Sequence, residues 1–308
     1  MREVLDRIFK AHGLGRVGHV TRPVDGRNNP IYIVDNRLVV RFDGLTSADT
    51  TDPELTTRFA GEAWVYRALA GHGLPTPNVL VIDDSREIAP MPYIVMSFLA
   101  GRAAIDSPEL TARQLQTLAF DVGQFLARMH NVMSFDRFGK WHQLHDGSHW
   151  ATWARWPAAF FDHYAQWSDE LGGAASPDLV RDLRALVDDA RPAFEQVTQG
   201  VIAHRDGHPG NVLQVGGRLT GVVDFEWWMA ADPACDFAVD DQWAALGDGC
   251  VGAMYDGYTS IRPLTAGHAA KTRVYNLLRD FDDVVTSYAA GDHAASRAAA
   301  RKLRAKLG

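Results

Sequence analysis

Apolar positions along the chain divide it into a strand-rich beginning and a helix-rich remainder. Two short β-rich runs, residues 31–34 and 38–42, are separated by a polar triplet that is typical of a hairpin turn. A helical pattern over 59–73 ends in glycine, and further β-rich runs begin near Val79 and Pro92. The first hundred residues therefore predict a small lobe of strands with one helix.

The pattern changes after Gly101. Apolar residues recur every three or four positions from Leu115 to Met129, which predicts a long one-sided helix, and further helices are predicted over 179–194 and after Asp292. A chain of 308 residues is longer than one hydrophobic core usually serves. We therefore expect an α+β protein with a β-rich N-terminal lobe, 1–99, and a larger, mainly helical C-terminal lobe, 100–308.

Composition narrows the classes of partner. The apolar fraction is 46%, and the formal net charge of -7 disfavours the basic face that nucleic-acid binding requires. The N-terminus carries charges every few residues, and no stretch approaches 18 uninterrupted apolar residues. The two cysteines are not in zinc-site spacing. We expect a cytoplasmic protein that binds neither nucleic acid nor membrane.

The strongest chemical signal lies in the segment HRDGHPGN and the residues after it. His204, Asp206 and Asn211 have the spacing H-x-D-x-x-x-x-N, and Asp224 follows a short β-pair. A loop of this kind can direct one carboxylate at a substrate hydroxyl, while an amide oxygen and a second carboxylate hold Mg²⁺ against nucleotide phosphates. Each residue alone is common in turns, so the ordered set carries the signal.

This ordered set, with DPACD downstream, resembles the catalytic stretch of the aminoglycoside phosphotransferase and choline kinase superfamily. The resemblance implies a two-lobed protein-kinase-like fold and transfer of the γ-phosphate of ATP to a small-molecule hydroxyl, with GTP not excluded. It further implies that Asp206 is the catalytic base or orients the hydroxyl, and that Asn211 and Asp224 are Mg²⁺ ligands.

The same resemblance assigns nucleotide-binding residues in the N-terminal lobe. Where the superfamily has a strand lysine paired with a helix glutamate, this chain has Arg41 and Glu62. The run PYIVMSFLAG resembles the hinge between the lobes, where Met96 would border adenine and the backbone of Ser97 to Leu99 would hydrogen-bond it. No G-x-G-x-x-G precedes the Arg41 strand. The preceding loop carries only turn formers, namely Gly26, Asn28 and Asn29.

The acceptor substrate is harder to infer. Glu226 and Trp227 follow Asp224 and are candidates to contact the acceptor. The acidic run RDFDDVV contains Asp280, Asp282 and Asp283. These three acids could contact a cationic substrate, or they could simply form the solvated face of a helix. Trp228 is a further candidate, although aromatic core is the commoner fate. Asp232 and Asp236 are expected to cap or brace the following helix.

Four functions fit these residues. The first is a kinase that phosphorylates an aminoglycoside or another antibiotic, and thus confers resistance. The second is a metabolite kinase acting on choline, homoserine or an amino sugar. The third, suggested by arginine at position 41, is a non-catalytic nucleotide-binding protein. A protein kinase comes last, because an A-P-E segment and a long activation loop are missing from the sequence.

Overall fold

The computed structural model describes residues 1–23, 29–44, 51–166 and 175–307. It has the expected α+β architecture, with a strand-rich N-terminal lobe and a mainly helical C-terminal lobe. The five-stranded antiparallel sheet of the N-terminal lobe has the order β1-β2-β3-β5-β4. Its strands are β1 (Val20–Thr21), β2 (Ile31–Val34), β3 (Leu38–Phe42), β4 (Val79–Asp83) and β5 (Tyr93–Ser97). Its helices are α1 (Arg2–Ala11), α2 (Pro53–Thr56) and α3 (Arg58–Gly71).

Alternation along β3 directs Arg41 to its site. Leu38, Val40 and Phe42 belong to the core beneath α1, whereas Val39 packs against the core that contains α3. Because side chains alternate between the faces of a strand, Arg41 lies on the α3 face. The sheet therefore presents a buried guanidinium to the helix that carries Glu62.

The C-terminal lobe contains two smaller antiparallel sheets, of order β7-β9-β12-β8 and β11-β10-β6. Their strands are β6 (Arg102–Ala103), β7 (Ser134–Phe135), β8 (Gly139–Lys140), β9 (Gly200–Ala203), β10 (Val212–Val215), β11 (Arg218–Val222) and β12 (Met229–Ala231). The loop with His204 follows β9, the hairpin β10–β11 separates Asn211 from Asp224, and β12 begins soon after. These strands thus fix both ends of the candidate chemical segment.

Nine helices are described in the C-terminal lobe: α4 (Ala112–His130), α5 (Trp141–Asp146), α6 (Arg155–Ala165), α7 (Pro177–Asp189), α8 (Arg191–Glu195), α9 (Asp240–Ala244), α10 (Cys250–Thr259), α11 (His268–Ala289) and α12 (His293–Leu307). Thr111 and Gln114 form a capping box at the start of α4. A Cβ at Gly123 of α4 would lie 1.9 Å from the Met254 carbonyl oxygen of α10, so glycine permits close packing there. This contact packs α4 closely against α10.

Several sequence predictions are confirmed in detail. The hairpin strands have the expected bounds, the one-sided helix is α4, and the predicted helix over 179–194 is present as α7 and α8. The short helix α2, before α3, is capped by Asp52, which accepts from the Glu54 amide. Gly26 and Asn28 of the predicted turn-forming loop lie outside the described residues.

The lobe boundary near residue 100 and the cytoplasmic location remain predictions. The main sheet ends at Ser97, and the next strand, β6, pairs with the hairpin of the C-terminal lobe. Within the described residues, none of the helices combines the length and apolarity that a membrane crossing requires. Both cysteines are buried and unbonded.

Candidate active site

Asp206 and Asn211 are joined by direct hydrogen bonds. The Asn211 side-chain amide nitrogen donates to the Asp206 carbonyl oxygen at 2.9 Å and to its carboxylate at 3.3 Å. The Val223 amide donates to the Asn211 carbonyl oxygen at 3.0 Å, which brings the residue before Asp224 alongside the loop. The Asp206 side chain remains 39% exposed. The carboxylate is thus oriented by a neighbouring amide and open to a substrate.

The backbone of this loop is fixed by a buried carboxylate. Asp236 accepts hydrogen bonds from the amides of His204, at 3.1 Å, and Arg205, at 2.5 Å. His130, at the end of α4, hydrogen-bonds the same carboxylate through Nε2 at 2.8 Å. Burial would raise the pKa of Asp236, but the hydrogen bond and charge of His130 outweigh it and hold that pKa below its usual value. Asp236 therefore braces the catalytic loop rather than the helix that follows it.

Asp232, in contrast, behaves as the sequence predicts. Its side chain caps the short 3₁₀ helix Pro233–Phe237 by accepting from the Ala234 amide. It also accepts from the Tyr275 hydroxyl at 2.7 Å and pairs with the buried Lys271 at 3.1 Å. These contacts are internal to the C-terminal lobe.

Asp224 lies between the two lobes. It adopts a φ of 68°, which is unusual for a residue with a side chain, and its amide donates to the Tyr66 hydroxyl at 2.8 Å. Its carboxylate accepts from Arg41 Nη1 at 2.7 Å, and its side chain is 35% exposed. The hairpin thus delivers the second acid to the strand arginine of the other lobe.

Arg41 is the centre of a buried ion cluster. Its guanidinium contacts Glu62 as well as Asp224, and lies 3.4 Å from Glu226. Burial disfavours a charged guanidinium, yet the three carboxylates together hold the pKa of Arg41 above its ordinary value. Burial raises the pKa of Glu62 to about 7, although Arg41 opposes the shift. The predicted pairing of Arg41 with Glu62 is confirmed; its role toward a nucleotide remains a prediction.

Glu226 faces the N-terminal lobe. Its carboxylate accepts from the Asn29 side chain at 2.8 Å and lies 3.7 Å from the guanidinium of Arg58. Arg58 in turn contacts Asp43. Burial, followed by the charge of Asp224, raises the pKa of Glu226. With 6% of its side chain exposed, Glu226 connects the lobes, and its contact with an acceptor remains a prediction.

The side chains of Asp206, Asn211 and Asp224 are candidates to hold a magnesium ion. Since Asn211 directs its amide nitrogen at Asp206, its side-chain oxygen faces away from that residue. Asp206 and Asp224 add carboxylate oxygens, so all three supply the oxygen ligands that Mg²⁺ prefers. Among the described residues, His, Cys, Asp and Glu side chains form no group of three that could hold a metal unaided. Mg²⁺ typically takes one or two carboxylates and completes its shell with phosphate and water.

The predicted hinge occupies the end of β5. Met96 is buried, and the amides of Ser97 and Phe98 donate to the carbonyl oxygens of Asn78 and Arg37. Those two amide donors are therefore not available to adenine, and the role of the Ser97 backbone at the hinge remains a prediction. In the described part of the chain, the Leu99 amide has no such partner. A hinge hydrogen bond from an amide in this stretch would come from Leu99.

The two tryptophans after Glu226 have different environments. Trp227 is partly exposed, and its ring centroid lies 6.0 Å from the Arg58 guanidinium carbon and 5.6 Å from Lys140 Nζ. Trp228 is buried, donates to the Gly61 carbonyl oxygen at 2.9 Å and stacks on Trp64. Trp227 borders the cleft between the lobes, and Trp228 belongs to the core.

The acidic run of α11 is divided between two sides of the helix. Asp280 is buried and pairs with Lys302, at 2.9 Å, and Lys306, at 2.6 Å, of α12. Asp283 shares its environment, because Asp280 and Arg279 are among the charges that act on it. Residues three apart share a helix face, but Asp283 is exposed whereas Asp280 is buried against α12. The contact of Asp280 and Asp283 with an acceptor remains a prediction. Asp282 has a buried Oδ1 without a hydrogen-bond partner in the described part of the chain.

Comparison with known proteins agrees with this geometry. The sequence profile of the phosphotransferase enzyme family, designated APH, matches residues 19–258.

The chain belongs to this phosphotransferase family.

Curated relatives of this phosphotransferase include homoserine kinases. Those of Brucella anthropi and Gluconobacter oxydans are 30% and 29% identical over 219 and 221 residues, covering 65% and 66% of this chain. The chain spans about three-fifths of their length, 59% and 61%. A mouse protein, acyl-CoA dehydrogenase family member 10, is 28% identical over 40% of this chain and 12% of its own length. The phosphotransferase family and these homoserine kinases have one activity in common, the transfer of phosphate to a small molecule.

Solved structures show the same fold. A thermostable mutant of the aminoglycoside phosphotransferase APH(4)-Ia, in a ternary complex with ADP and hygromycin B, has a TM-score of 0.70 and 19% identity, covering 97% of this chain and 96% of that one. The GDP and kanamycin complex of APH(2")-IIIa has a TM-score of 0.70 and 14% identity, with the same coverage. At these identities the likeness establishes the fold of the phosphotransferase and leaves its acceptor open.

Sequence reasoning missed three residues of the site. Asp236 was expected to brace a helix, and Arg58 and Arg205 were given no role. The residues next to Arg58 in the sequence do not indicate that its side chain is buried. Arg58 is buried because α3 packs against the sheet. For Arg205 a signal existed, since it directly precedes the candidate catalytic acid.

Proposed function

We propose that this phosphotransferase transfers the γ-phosphate of ATP to the hydroxyl of a small metabolite, with Asp206 at the reacting hydroxyl. The observation that supports it is the linked set of Asp206, Asn211 and Asp224, in which one amide orients the exposed carboxylate and the hairpin brings the second acid alongside. GTP is the alternative phosphate donor.

Asp206 would accept a hydrogen bond from the acceptor hydroxyl and align its oxygen with the terminal phosphorus. A bond forms between that oxygen and phosphorus while the bond from phosphorus to the bridging oxygen breaks, so that ADP leaves and the hydroxyl proton passes to the carboxylate. Most of the benefit from Asp206 is expected to be alignment, because phosphoryl transfer has a loose transition state.

Asn211 and Asp224 would hold Mg²⁺ through their side-chain oxygens. The ion would neutralise charge on the nucleotide phosphates. Arg41, fixed by Glu62, would contact the same phosphates, because its fork of donors suits them. A hinge contact from Leu99 and a wall from Met96 would complete the nucleotide site.

The metabolite acceptor is favoured over an antibiotic by the relatives. Homoserine kinases are close to 30% identical over about two thirds of this chain, whereas the aminoglycoside phosphotransferases are 20% identical or less and support only the fold. An antibiotic hydroxyl is the second candidate, because the complexes with hygromycin B and kanamycin match this chain along almost its full length. A non-catalytic role is disfavoured by the complete acid set.

The test is a direct assay of phosphate transfer. The purified chain is incubated with Mg²⁺ and ATP and, separately, with L-homoserine, choline, hygromycin B or kanamycin, and both ADP release and phosphate gain by the acceptor are measured. We expect transfer to a metabolite that Asp206→Asn abolishes. Transfer to the antibiotics alone would replace the first candidate by the second, and acceptor-independent ADP release alone would reject both.

A further inference from the structure

Arg205, immediately before the candidate catalytic acid, has an unusual backbone conformation. Its φ is 69°, in the left-handed region where glycine is favoured. A side chain there is less favourable than at ordinary backbone angles. The other described non-glycine residues with positive φ are Asp35, Asn36, Arg86 and Asp224. Because Arg86 shares this conformation, it is the contacts of the Arg205 side chain that distinguish it.

The guanidinium of Arg205 extends toward the helical lobe. Its central carbon lies 5.0 Å from the centroid of the Trp156 ring of α6, and Nη1 lies 3.5 Å from the Trp227 carbonyl oxygen. Arg205 is partly exposed, and no carboxylate of the described residues pairs with it within 4.0 Å. A cation is thus held in place by an aromatic face and a carbonyl, beside Asp206, without an anion.

A negative counterpart lies on the neighbouring helices. Asp282 of α11 has a buried Oδ1 with no hydrogen-bond partner among the described residues. Its neighbour Phe281 stacks on Phe161 of α6, the helix whose Trp156 holds Arg205. Tyr164, Arg205 and Lys140 are among the groups that act on the pKa of Asp282, and Lys140 itself pairs with Glu54. Arg205 and Asp282 are thus one positive and one negative group beside α6 that lack an ion pair in the described part of the chain.

We propose that Arg205 and Asp282 are the two poles of an acceptor site for a zwitterionic hydroxy compound, with Arg205 binding its carboxylate and Asp282 its ammonium group. This rests on the proposed function and extends it to a substrate class. A guanidinium matches a carboxylate in shape and charge, and an unpaired buried carboxylate is stabilised by an incoming ammonium group. A purely cationic acceptor would meet repulsion from Arg205 and Lys140.

The anion bound by Arg205 is assigned to the acceptor rather than to the nucleotide. The candidate nucleotide residues Arg41 and Glu62 belong to the N-terminal lobe, whereas Arg205 packs on α6 and influences Asp282 of α11. Its side chain is directed toward the helical lobe. The kinetic test below separates these two assignments.

The test uses three acceptors that differ by one charged group. L-homoserine carries both charges, 4-hydroxybutanoate lacks the ammonium group, and 3-amino-1-propanol lacks the carboxylate. Arg205→Gly removes the guanidinium and suits the left-handed backbone, so the variant should fold with an unchanged or higher melting temperature. Asp282→Asn removes the opposite charge at nearly constant shape. Arg155→Ala, an exposed arginine at the start of α6, is the matched control.

We expect the two variants to affect different acceptors. Arg205→Gly should raise KM for homoserine and 4-hydroxybutanoate by about 10- to 100-fold, the range of a charge-assisted hydrogen bond, and leave 3-amino-1-propanol and ATP unchanged. Asp282→Asn should impair homoserine and 3-amino-1-propanol and leave 4-hydroxybutanoate unchanged. Arg205→Lys, which keeps the charge, should recover part of the loss. Arg155→Ala should match the wild type.

Several results would overturn the inference. One is an equal loss for all three acceptors, and another is a raised KM for ATP alone in Arg205→Gly. A wild type that phosphorylates kanamycin but none of the three probes would reject the zwitterion site and leave hydroxyl phosphorylation standing. If no acceptor is phosphorylated, calorimetry would measure the binding of homoserine to the wild type and to Arg205→Gly. Binding that Arg205→Gly weakens would support the site and reject the proposed reaction. No binding to the wild type would reject both.

Discussion

The two sides of the catalytic loop differ in how their charges are satisfied. On the side of the N-terminal lobe, Arg41 is shared by Glu62, Asp224 and Glu226, so each acid has a cation within ion-pair distance. On the side of α6 and α11, Arg205 and Asp282 have no ion pair in the described part of the chain. A buried pair is costly to break, whereas an unpaired group gains most from a ligand.

This difference separates a side whose charges are already paired from one whose charges are not. In the proposed function, the shared Arg41 cluster would hold the nucleotide side in position before any ligand binds, and the unpaired charges would leave the acceptor side to be completed by its substrate. We therefore expect changes on the first side to appear as lost stability and changes on the second as altered KM. Asp206 lies between them and should affect turnover alone.

The largest effect is expected at Asp206. Asp206→Asn keeps the shape of the side chain and its contact with Asn211 but removes the proton acceptor, so kcat should fall by about 10²- to 10⁴-fold. Steady-state kinetics would check this together with the KM for ATP, which should change little. A variant with near-normal kcat would show that another group orients the hydroxyl.

Arg41 tests the stability of the nucleotide side. Arg41→Ala leaves Glu62 and Glu226 buried near Asp224 without their shared cation, and should destabilise the fold by about 3–5 kcal/mol. Urea unfolding would measure it. Arg7→Ala, at an exposed position of α1, is the control and should change stability by less than about 0.5 kcal/mol. Equal stability of the two variants would contradict the clustered arrangement.

Asp236 tests the brace that both sides share. Asp236→Asn removes the charge that holds the His204 and Arg205 amides and His130, and should cost about 2–3 kcal/mol of stability. Because the loop carries both Asp206 and Arg205, kcat and the acceptor KM should both worsen. A variant that loses stability but keeps wild-type kinetics would show that the loop does not need this brace.

A smaller effect concerns an unpaired acid away from the cleft. Burial, and to a lesser degree Asp241, raises the pKa of Asp240 in α9 to about 6, while the Tyr255 hydroxyl and Arg279 oppose the shift. The folded state thus keeps a proton that the unfolded chain releases near 3.8, the ordinary value. The contribution to stability is full below pH 4 and is lost as pH rises to about 6, by about 3 kcal/mol. Asp240→Asn should lack this slope in unfolding curves measured across pH; an unchanged slope would assign it elsewhere.

The sequence predicts the elements well because local rules determine them. Turn residues between two β-branched runs define the β2–β3 hairpin, and the capping box at Thr111 starts α4. The spacing around Asp206 likewise places the acids on one loop and one hairpin. Such features depend on neighbours in sequence and therefore need no knowledge of the packed fold.

The acceptor side could not be predicted in the same way. Asp280, Asp282 and Asp283 look alike in sequence, and only the packing of α11 between α6 and α12 separates them. Helical geometry could have shown that Asp280 and Asp283 share a face, but not which helix each face meets. The partners of Glu226 could not be predicted for the same reason, since Asn29 and Arg58 are far away in sequence.

The most direct test of the account is metal binding at Asn211 and Asp224. Electron paramagnetic resonance can count and titrate Mn²⁺ bound in the presence of ADP, for the wild type, Asn211→Ala and Asp224→Asn, with the exposed Asp84→Asn as control. We predict that both site variants weaken Mn²⁺ binding by at least about tenfold and that the control matches the wild type. Wild-type Mn²⁺ affinity in both site variants would contradict the convergence of these side chains on one metal–nucleotide site.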